Sequence, residues 1–156
     1  MSYVSASRRA FSLIELVIVV VIIGIIAAIA VPRMSRGAAG AGDSALISNL
    51  QVLRNAIDLF QTEHGGVYPT LTDIEVQLTG YSKDDGTAQD SKSTEYYLGP
   101  YIRVIPNLPV GANKGFNGIT GTLGTAGMGW VYDASTHKIS ANASEKDAKG
   151  IDYSDY

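Results

Sequence analysis

Glu15 has the clearest chemical potential in this sequence, because it is the one charged residue between Arg9 and Arg33. It stands near the start of a run of Ile, Val, Leu and Ala that ends at Val31. A charged side chain at the centre of a membrane helix costs about 2.5–3.5 kcal/mol, and less near an end. The position therefore predicts that the carboxylate either reaches the membrane surface or is neutralised by a cation.

Proteolysis could supply that cation. A cut between Ala10 and Phe11 would create an α-amine four residues before Glu15, with a reference pKa of about 7.7–8. Two unit charges about 4 Å apart attract by about 4 kcal/mol at an effective dielectric of about 20, before desolvation is subtracted. Between neighbouring helices, such a pair would set the axial register of packing.

The element that carries Glu15 has the length of a membrane span. Residues 11–31 number 21 and would form a helix of about 31 Å, which matches a hydrocarbon core of about 30 Å. Two other interpretations would discard this helix. Ala28-Ile29-Ala30 fits a secretory cleavage site, and Ser7-Arg8-Arg9-Ala10-Phe11 contains the arginine pair of a twin-arginine signal. Neither gives Glu15 a role.

The segment Ala10-Phe11-Ser12-Leu13-Ile14-Glu15-Leu16, with its apolar run and Pro32, resembles the class III signal of type IV pilins and type II secretion pseudopilins. The resemblance implies that a prepilin peptidase removes the leader 1–10 by cutting between Ala10 and Phe11. It also implies methylation of the new Phe11 amine and a role for Glu15 in assembly. Ala10 departs from the family, which usually has glycine there.

After the span, the sequence predicts a kinked linker over 32–42 and a globular domain over 43–156. Pro32 lacks an amide proton and disfavours helical geometry at the preceding residue. Asp43-Ser44 offers an N-cap for a second helix that runs to about His64, and Gly65-Gly66 would end it. The apolar residues of this helix recur at spacings of three and four, which predicts a face buried in a core: Leu46, Leu50, Leu53, Ile57 and Phe60.

The remaining sequence predicts small, loosely connected elements. We expect a short amphipathic piece at 71–78, irregular polar chain at 82–93, an alternating extended stretch at 96–105 and a glycine-rich loop at 111–129. Two alternating segments at 129–141 predict a β-hairpin, and the acidic tail from 145 onward is expected to be mobile. The predicted fold class is α+β: a long N-terminal helix, half transmembrane and half amphipathic, packed on a small antiparallel sheet as in pilins.

The order of these segments also resembles the major pseudopilin of type II secretion. The shared pieces are the Gly-Gly helix end and the segments 68–69, 99–109 and 129–133, and the absence of cysteine agrees with that subfamily. The resemblance implies calcium binding near the C-terminal end. Asp147, Asp152 and Asp155 lack the spacing of a calcium loop, so the sequence predicts no metal and no cofactor.

No catalytic set is evident in the sequence. His64 and His137 are the two histidines, and neither has further ligands at metal-site spacing. No nucleophile, base and orienting group occur together. The net charge of −3 and the lack of a basic patch argue against nucleic-acid binding. The sequence therefore predicts a protein that is not an enzyme.

The leading hypothesis is a structural subunit of a type II secretion pseudopilus. It would be anchored in the inner membrane by a single span, with the C-terminal domain in the periplasm, and would assemble into a filament after cleavage. The implied partners are further copies, the prepilin peptidase, the assembly platform, minor pseudopilins and membrane lipid. The alternatives are a surface type IV pilin for adhesion, motility or DNA uptake, an exported soluble binding protein with a discarded signal, and an anchored sensor or enzyme.

Overall fold

The computed structural model describes residues 11–156, except for the side chains of residues 30–39. The chain divides into two compact units, Met1–Ala38 and Ala39–Tyr156. Helix α1 spans Leu13–Glu63, and helix α2 spans Ile74–Thr79. Five strands follow α2: β1 Tyr81–Ser82, β2 Ala88–Gln89, β3 Ile119–Thr120, β4 Trp130–Asp133 and β5 Lys138–Ala141. The predicted α+β class, with a long N-terminal helix and small sheets, is confirmed.

The sequence predicted a second helix that begins at Asp43-Ser44 and ends near His64, and the structure agrees with one of these two boundaries. Helical backbone is already present at Asp43-Ser44, so the prediction that a second helix begins there is wrong. The C-terminal end is confirmed within one residue. Gly65 and Gly66 have φ values of 62° and 99°, and the Gly66 amide donates to the Gln61 carbonyl at 2.9 Å. This six-to-one bond is typical of a Schellman cap, which satisfies an otherwise unpaired helix carbonyl.

The globular unit, Ala39–Tyr156, is built on the predicted apolar face of α1. All five residues of that face are at most 2% exposed: Leu46, Leu50, Leu53, Ile57 and Phe60. They share one core with the inward residues of the sheet, among them Trp130, Tyr132 and Ile139. Burial of each such side chain contributes about 1.5–3 kcal/mol, so this contact stabilises the packing of the helix on the sheet.

The larger sheet has the strand order β3-β4-β5. Strands β4 and β5 form the predicted antiparallel hairpin, with Tyr132 opposite Ile139, and alternate residues of β4 are buried. Strand β3 pairs with β4 in parallel, with Ile119 opposite Trp130. The sheet is therefore mixed, and β3 lies inside the segment that we expected to be a glycine-rich loop.

The segment between α2 and β3 differs from the prediction in two places. Strands β1 and β2 pair antiparallel within the stretch that we expected to be irregular. The stretch predicted to be extended at 96–105 forms no strand and makes one isolated bridge, from Leu98 to Ser82. Its backbone instead docks on α2, because the amides of Tyr101 and Ile102 both donate to the Leu78 carbonyl.

The C-terminal tail is packed against the globular unit, so the prediction that it is mobile is wrong. A short 3₁₀ helix spans Tyr153–Asp155, and Tyr153 is 9% exposed. The Tyr153 hydroxyl donates to Asp43 Oδ1 at 2.9 Å. The Arg54 guanidinium also donates to the main-chain oxygen of Tyr156, so α1 holds the tail at two points.

Candidate assembly segment

The first unit presents an apolar surface along the described part of its helix. Every residue from Phe11 to Ile29 is exposed, and no side chain in that stretch except Glu15 is charged. Phe11 itself is 82% exposed. Large exposed apolar surfaces are typical of contacts with other proteins or with lipid. This surface is therefore available for a partner outside the single chain.

Glu15 occupies a defined position at the start of α1. Ser12 precedes the first helical residue, and its main-chain amide donates to Glu15 Oε2 at 3.1 Å. The Leu16 amide donates to the Ser12 carbonyl at 3.2 Å, which closes the first turn. An acid at the third helical position that accepts from the N-cap amide forms half of a capping box. The helix N-terminus also stabilises a negative charge there.

This capping contact was missed in the sequence analysis, although its signal is present. Ser12-Leu13-Ile14-Glu15 matches the pattern of Ser or Thr followed three residues later by Glu, before an apolar run. The contact gives Glu15 a local structural role beside the predicted assembly role. A carboxylate has two acceptor oxygens, so Glu15 can accept from the Ser12 amide and pair with a cation at the same time.

The other predicted site residues are placed only in part. Ala10 and the leader lie outside the described residues, and so does the side chain of Pro32. Phe11 is described and lies directly before Ser12 in an exposed position. The cleavage at Ala10–Phe11, the methylation of Phe11 and the kink at Pro32 therefore stay predictions.

A comparison with protein-family models identifies the N-terminal segment. Residues 5–31 match the model described as the prokaryotic N-terminal methylation motif. These residues carry a class III signal. This is the signal of type IV pilin-like proteins. Neither the curated proteins nor the solved structures contain a significant match to the chain.

The match to the methylation motif agrees with the resemblance seen in the sequence, and it covers Ala10, Phe11 and Glu15 together. It implies a membrane-anchored N-terminus and processing by a prepilin peptidase. Within the described part of the chain, no helix combines the length and apolarity needed to cross a membrane.

Outside the methylation motif, one open cavity of about 740 Å³ lies between α1, the β4–β5 hairpin and the tail. Its wall includes Arg54 and His137. The His137 ring stacks on Tyr68 with centroids 3.9 Å apart, and its Nδ1 is 3.4 Å from the Tyr132 hydroxyl. Arg54 donates to the Ile139 carbonyl at 3.3 Å as well as to the tail. These contacts tie structural elements together.

The hairpin turn beside this cavity is organised by Asp133. Its carboxylate accepts from the Ser135 amide at 2.8 Å, the Ser135 hydroxyl at 2.6 Å and the Thr136 hydroxyl at 2.8 Å. Hydrogen bonds to the charged form hold the pKa of Asp133 well below its usual range, the Ser135 hydroxyl contributing most. His137 completes the turn with a φ of 57°. The carboxylate is thus engaged by its own turn.

His64 lies at the end of α1, as predicted, and it is buried. It is 4% exposed, and its ring stacks on Phe60 with centroids 3.8 Å apart. Its Nδ1 is 2.7 Å from the Phe60 carbonyl, which assigns the proton to Nδ1. The contact with the last turn of α1 is a structural role.

Among the described residues, no group of three or more His, Cys, Asp or Glu is arranged to hold a metal ion. Two of the three acids considered for calcium, Asp147 and Asp152, make other contacts. Asp147 accepts from the Tyr156 hydroxyl and from the amides of Lys149 and Ile151, and Asp152 pairs with Lys146 at 2.8 Å. The Tyr156 hydroxyl, chiefly, keeps the pKa of Asp147 below its usual value. The expectation that the chain binds no metal and no cofactor stays a prediction.

Proposed function

We propose that this protein is a structural subunit of a type II secretion pseudopilus. It is made as a precursor, inserted in the inner membrane, cleaved between Ala10 and Phe11 and assembled with further copies into a periplasmic filament. The match of residues 5–31 to the N-terminal methylation motif is the observation that carries this proposal. The exposed apolar stretch from Phe11 to Ile29 supports it, since that surface suits lipid before assembly and neighbouring copies afterwards.

The step that gates assembly is the pairing of Glu15 with the Phe11 amine of a neighbouring copy. The precursor has no amine at Phe11, so only the cleaved chain can form the pair. The pair offers about 4 kcal/mol of attraction before desolvation, which is enough to offset burial of the acid. The capping contact from Ser12 holds the carboxylate at the helix N-terminus, where the pair would form.

Substitution of Glu15 separates the assembly role from the capping role. Glu15→Gln keeps the capping geometry, because Gln serves in the same motif, but it removes the negative charge. Glu15→Leu removes both. If charge pairing gates assembly, we expect both variants to be cleaved normally and to reduce filament yield by about tenfold or more, which corresponds to a net pair energy of about 1.4 kcal/mol.

The measurement is N-terminal sequencing of the membrane fraction together with the yield of sheared or cross-linked filaments. Normal filament yield in Glu15→Gln, with loss in Glu15→Leu, would assign Glu15 to capping alone. A mature N-terminus at Val31 would instead support the exported binding protein, in which the apolar helix is a discarded signal. An intact Met1 would support a permanently anchored sensor or enzyme.

The surface type IV pilin is the other filament candidate, because the methylation motif occurs in both classes. The resemblance of the segments 68–69, 99–109 and 129–133 to the major pseudopilin favours the pseudopilus. Deletion of the gene distinguishes them. A pseudopilin deletion leaves secreted proteins in the periplasm, whereas a pilin deletion removes a surface fibre and leaves secretion intact.

A further inference from the structure

Two pairs of adjacent residues in the globular unit have the type of sequence in which the main chain rearranges most readily: Asp85-Gly86 and Asn117-Gly118. In such a pair the backbone nitrogen of the glycine can attack the side-chain carbonyl carbon of the residue before it. Glycine permits the attack because it has no side chain and few restrictions on its backbone. Since both pairs have glycine at the attacking position, the structure around that amide decides which pair can react.

The amide of Gly86 is already engaged in a turn. It donates to the Lys83 carbonyl at 2.8 Å, and Gly86 has a φ of 82°. The Asp85 side chain is held as well, because its Oδ1 accepts from the Thr87 amide at 2.9 Å. Attack by the Gly86 nitrogen would require both contacts to break. We therefore expect this pair to be protected in the folded protein.

The Asn117-Gly118 pair is held much less firmly. It lies in irregular backbone directly before β3, and Asn117 is exposed. Among the described residues, the Gly118 amide donates to no partner. The Asn117 Nδ2 donates to the Ile105 carbonyl at 3.3 Å, which is beyond the usual range of about 2.7–3.2 Å. The attacking nitrogen is therefore available, and the carboxamide is weakly held and open to water.

We propose that Asn117-Gly118 is a site of spontaneous deamidation in the folded protein. The Gly118 nitrogen bonds to Cγ of Asn117, the bond from Cγ to Nδ2 breaks, and the departing group takes the amide proton and leaves as ammonia. Water then opens the cyclic imide. Cleavage of the new bond gives aspartate at position 117, and cleavage of the original peptide bond gives isoaspartate. The reaction consumes water alone, and it is independent of the proposed function.

Packing around Gly118 favours a glycine in this reactive position. A Cβ added to Gly118 would lie 2.6 Å from Sδ of Met128, so a larger residue would have to displace that side chain. The Gly118 carbonyl also accepts from the amides of Gly129 and Trp130 at 2.9 and 3.1 Å. The reactive pair is therefore part of the connection between β3 and β4.

Both products would disturb that connection. Aspartate has no amide hydrogen to donate, so the bond to the Ile105 carbonyl is lost and two acceptors face each other. Isoaspartate carries its Cβ within the main chain, which lengthens the backbone between positions 117 and 118. The backbone has little room there, because a Cβ placed on Gly129 would lie 3.2 Å from Cα of Asn117. We expect isoaspartate to weaken the pairing of β3 with β4.

Asp85→Asn provides a matched control, because it gives position 85 the same reactive side chain beside a glycine amide that is engaged. The whole chain with this substitution is incubated in detergent, folded or in urea, and mass spectrometry of its peptides follows deamidation at both positions. In urea the two positions should react at similar rates. In the folded protein, position 117 should react at least about tenfold faster than position 85, a difference of about 1.4 kcal/mol in activation free energy. Equal rates in the folded protein, or reaction at position 117 in urea alone, would overturn the inference.

Stability after incubation tests the structural consequence. The unsubstituted chain should acquire a fraction that unfolds at lower urea concentration, and this fraction should grow in step with isoaspartate, measured with an isoaspartyl methyltransferase. Asn117→Ser lacks the carboxamide and cannot form the imide, so its urea transition should stay constant over the same period. An unchanged transition in the unsubstituted chain, despite isoaspartate at position 117, would refute the effect on the pairing of β3 with β4.

Discussion

At the scale of single residues, tyrosine hydroxyl groups connect distant parts of the described globular unit. Four of them donate to carboxylates that lie between 9 and 110 positions away along the chain. The pairs are Tyr97 with Asp84, Tyr101 with Glu63, Tyr153 with Asp43, and Tyr156 with Asp147. Hydrogen bonds to a charged acceptor are stronger than neutral ones. In a chain without cysteine, such contacts help to fix loops and the tail in place.

The longest of these links, from Tyr153 to Asp43, can be measured by a double-mutant cycle. Asp43→Asn and Tyr153→Phe should each destabilise the globular unit, because each leaves one partner without its best contact. We expect the double variant to lose less than the sum, with a coupling of about 1 kcal/mol in urea unfolding. Strict additivity would show that the contact contributes nothing to the attachment of the tail.

At the scale of elements, the segment 111–129 shows how a glycine-rich sequence can form a fixed structure. Asn142 is fully buried, and its side chain donates to the Thr125 and Met128 carbonyls at 2.7 and 2.8 Å. It also accepts from the Gly124 amide at 2.6 Å. The side-chain amide of Asn142, which directly follows β5, therefore supplies hydrogen-bond partners to three backbone groups of the segment.

Gly129 marks the closest approach within this segment. A Cβ added there would lie 2.1 Å from the Phe116 carbonyl oxygen, which is backbone and cannot move aside cheaply. Gly129→Ala should therefore destabilise the globular unit by about 3 kcal/mol and disturb the β3–β4 pairing.

Gly40→Ala is the matched control, because nothing lies within 4 Å of a Cβ there and the residue is helical. It should leave stability unchanged or raise it by up to about 1 kcal/mol. Thermal or urea unfolding monitored by Trp130 fluorescence measures both variants. Equal stability of Gly129→Ala and Gly40→Ala would contradict the close approach.

At the scale of the whole globular unit, the buried tyrosines predict sensitivity to alkali. Burial is the main reason that the pKa values of Tyr132 and Tyr153 are raised to about 12, and the hydrogen bond to Asp43 adds to the effect at Tyr153. An unfolded tyrosine ionises at about 10. The folded state therefore retains protons that the unfolded state loses between about pH 10 and 12. The stabilisation is complete below about pH 10 and is lost as the pH rises through that window.

We expect the free energy of unfolding to fall steadily between about pH 10 and 11.5, with Tyr132 and Tyr153 ionising only as the globular unit unfolds. Tyr132→Phe removes one of the tyrosines whose pKa is raised, so the free energy of unfolding of this variant should fall less steeply with pH. A flat pH profile, or ionisation of Tyr132 while the globular unit is still folded, would contradict this expectation.

The amino-acid sequence by itself determined the features that depend on neighbours along the chain. The methylation motif, the buried face of α1, the Gly65-Gly66 end and the β4–β5 hairpin follow from local spacing and turn chemistry. The Ser12–Glu15 cap belongs with them, since its signal is also local. Only the tertiary structure decided that β3 pairs in parallel with β4, that Asn142 orders the glycine-rich segment, and that Asp43 binds the tail instead of starting a helix. Each of these contacts depends on a partner far along the chain. A backbone group or a carboxylate can bond to several kinds of partner, and the packing of the core decides which partner lies within hydrogen-bonding distance.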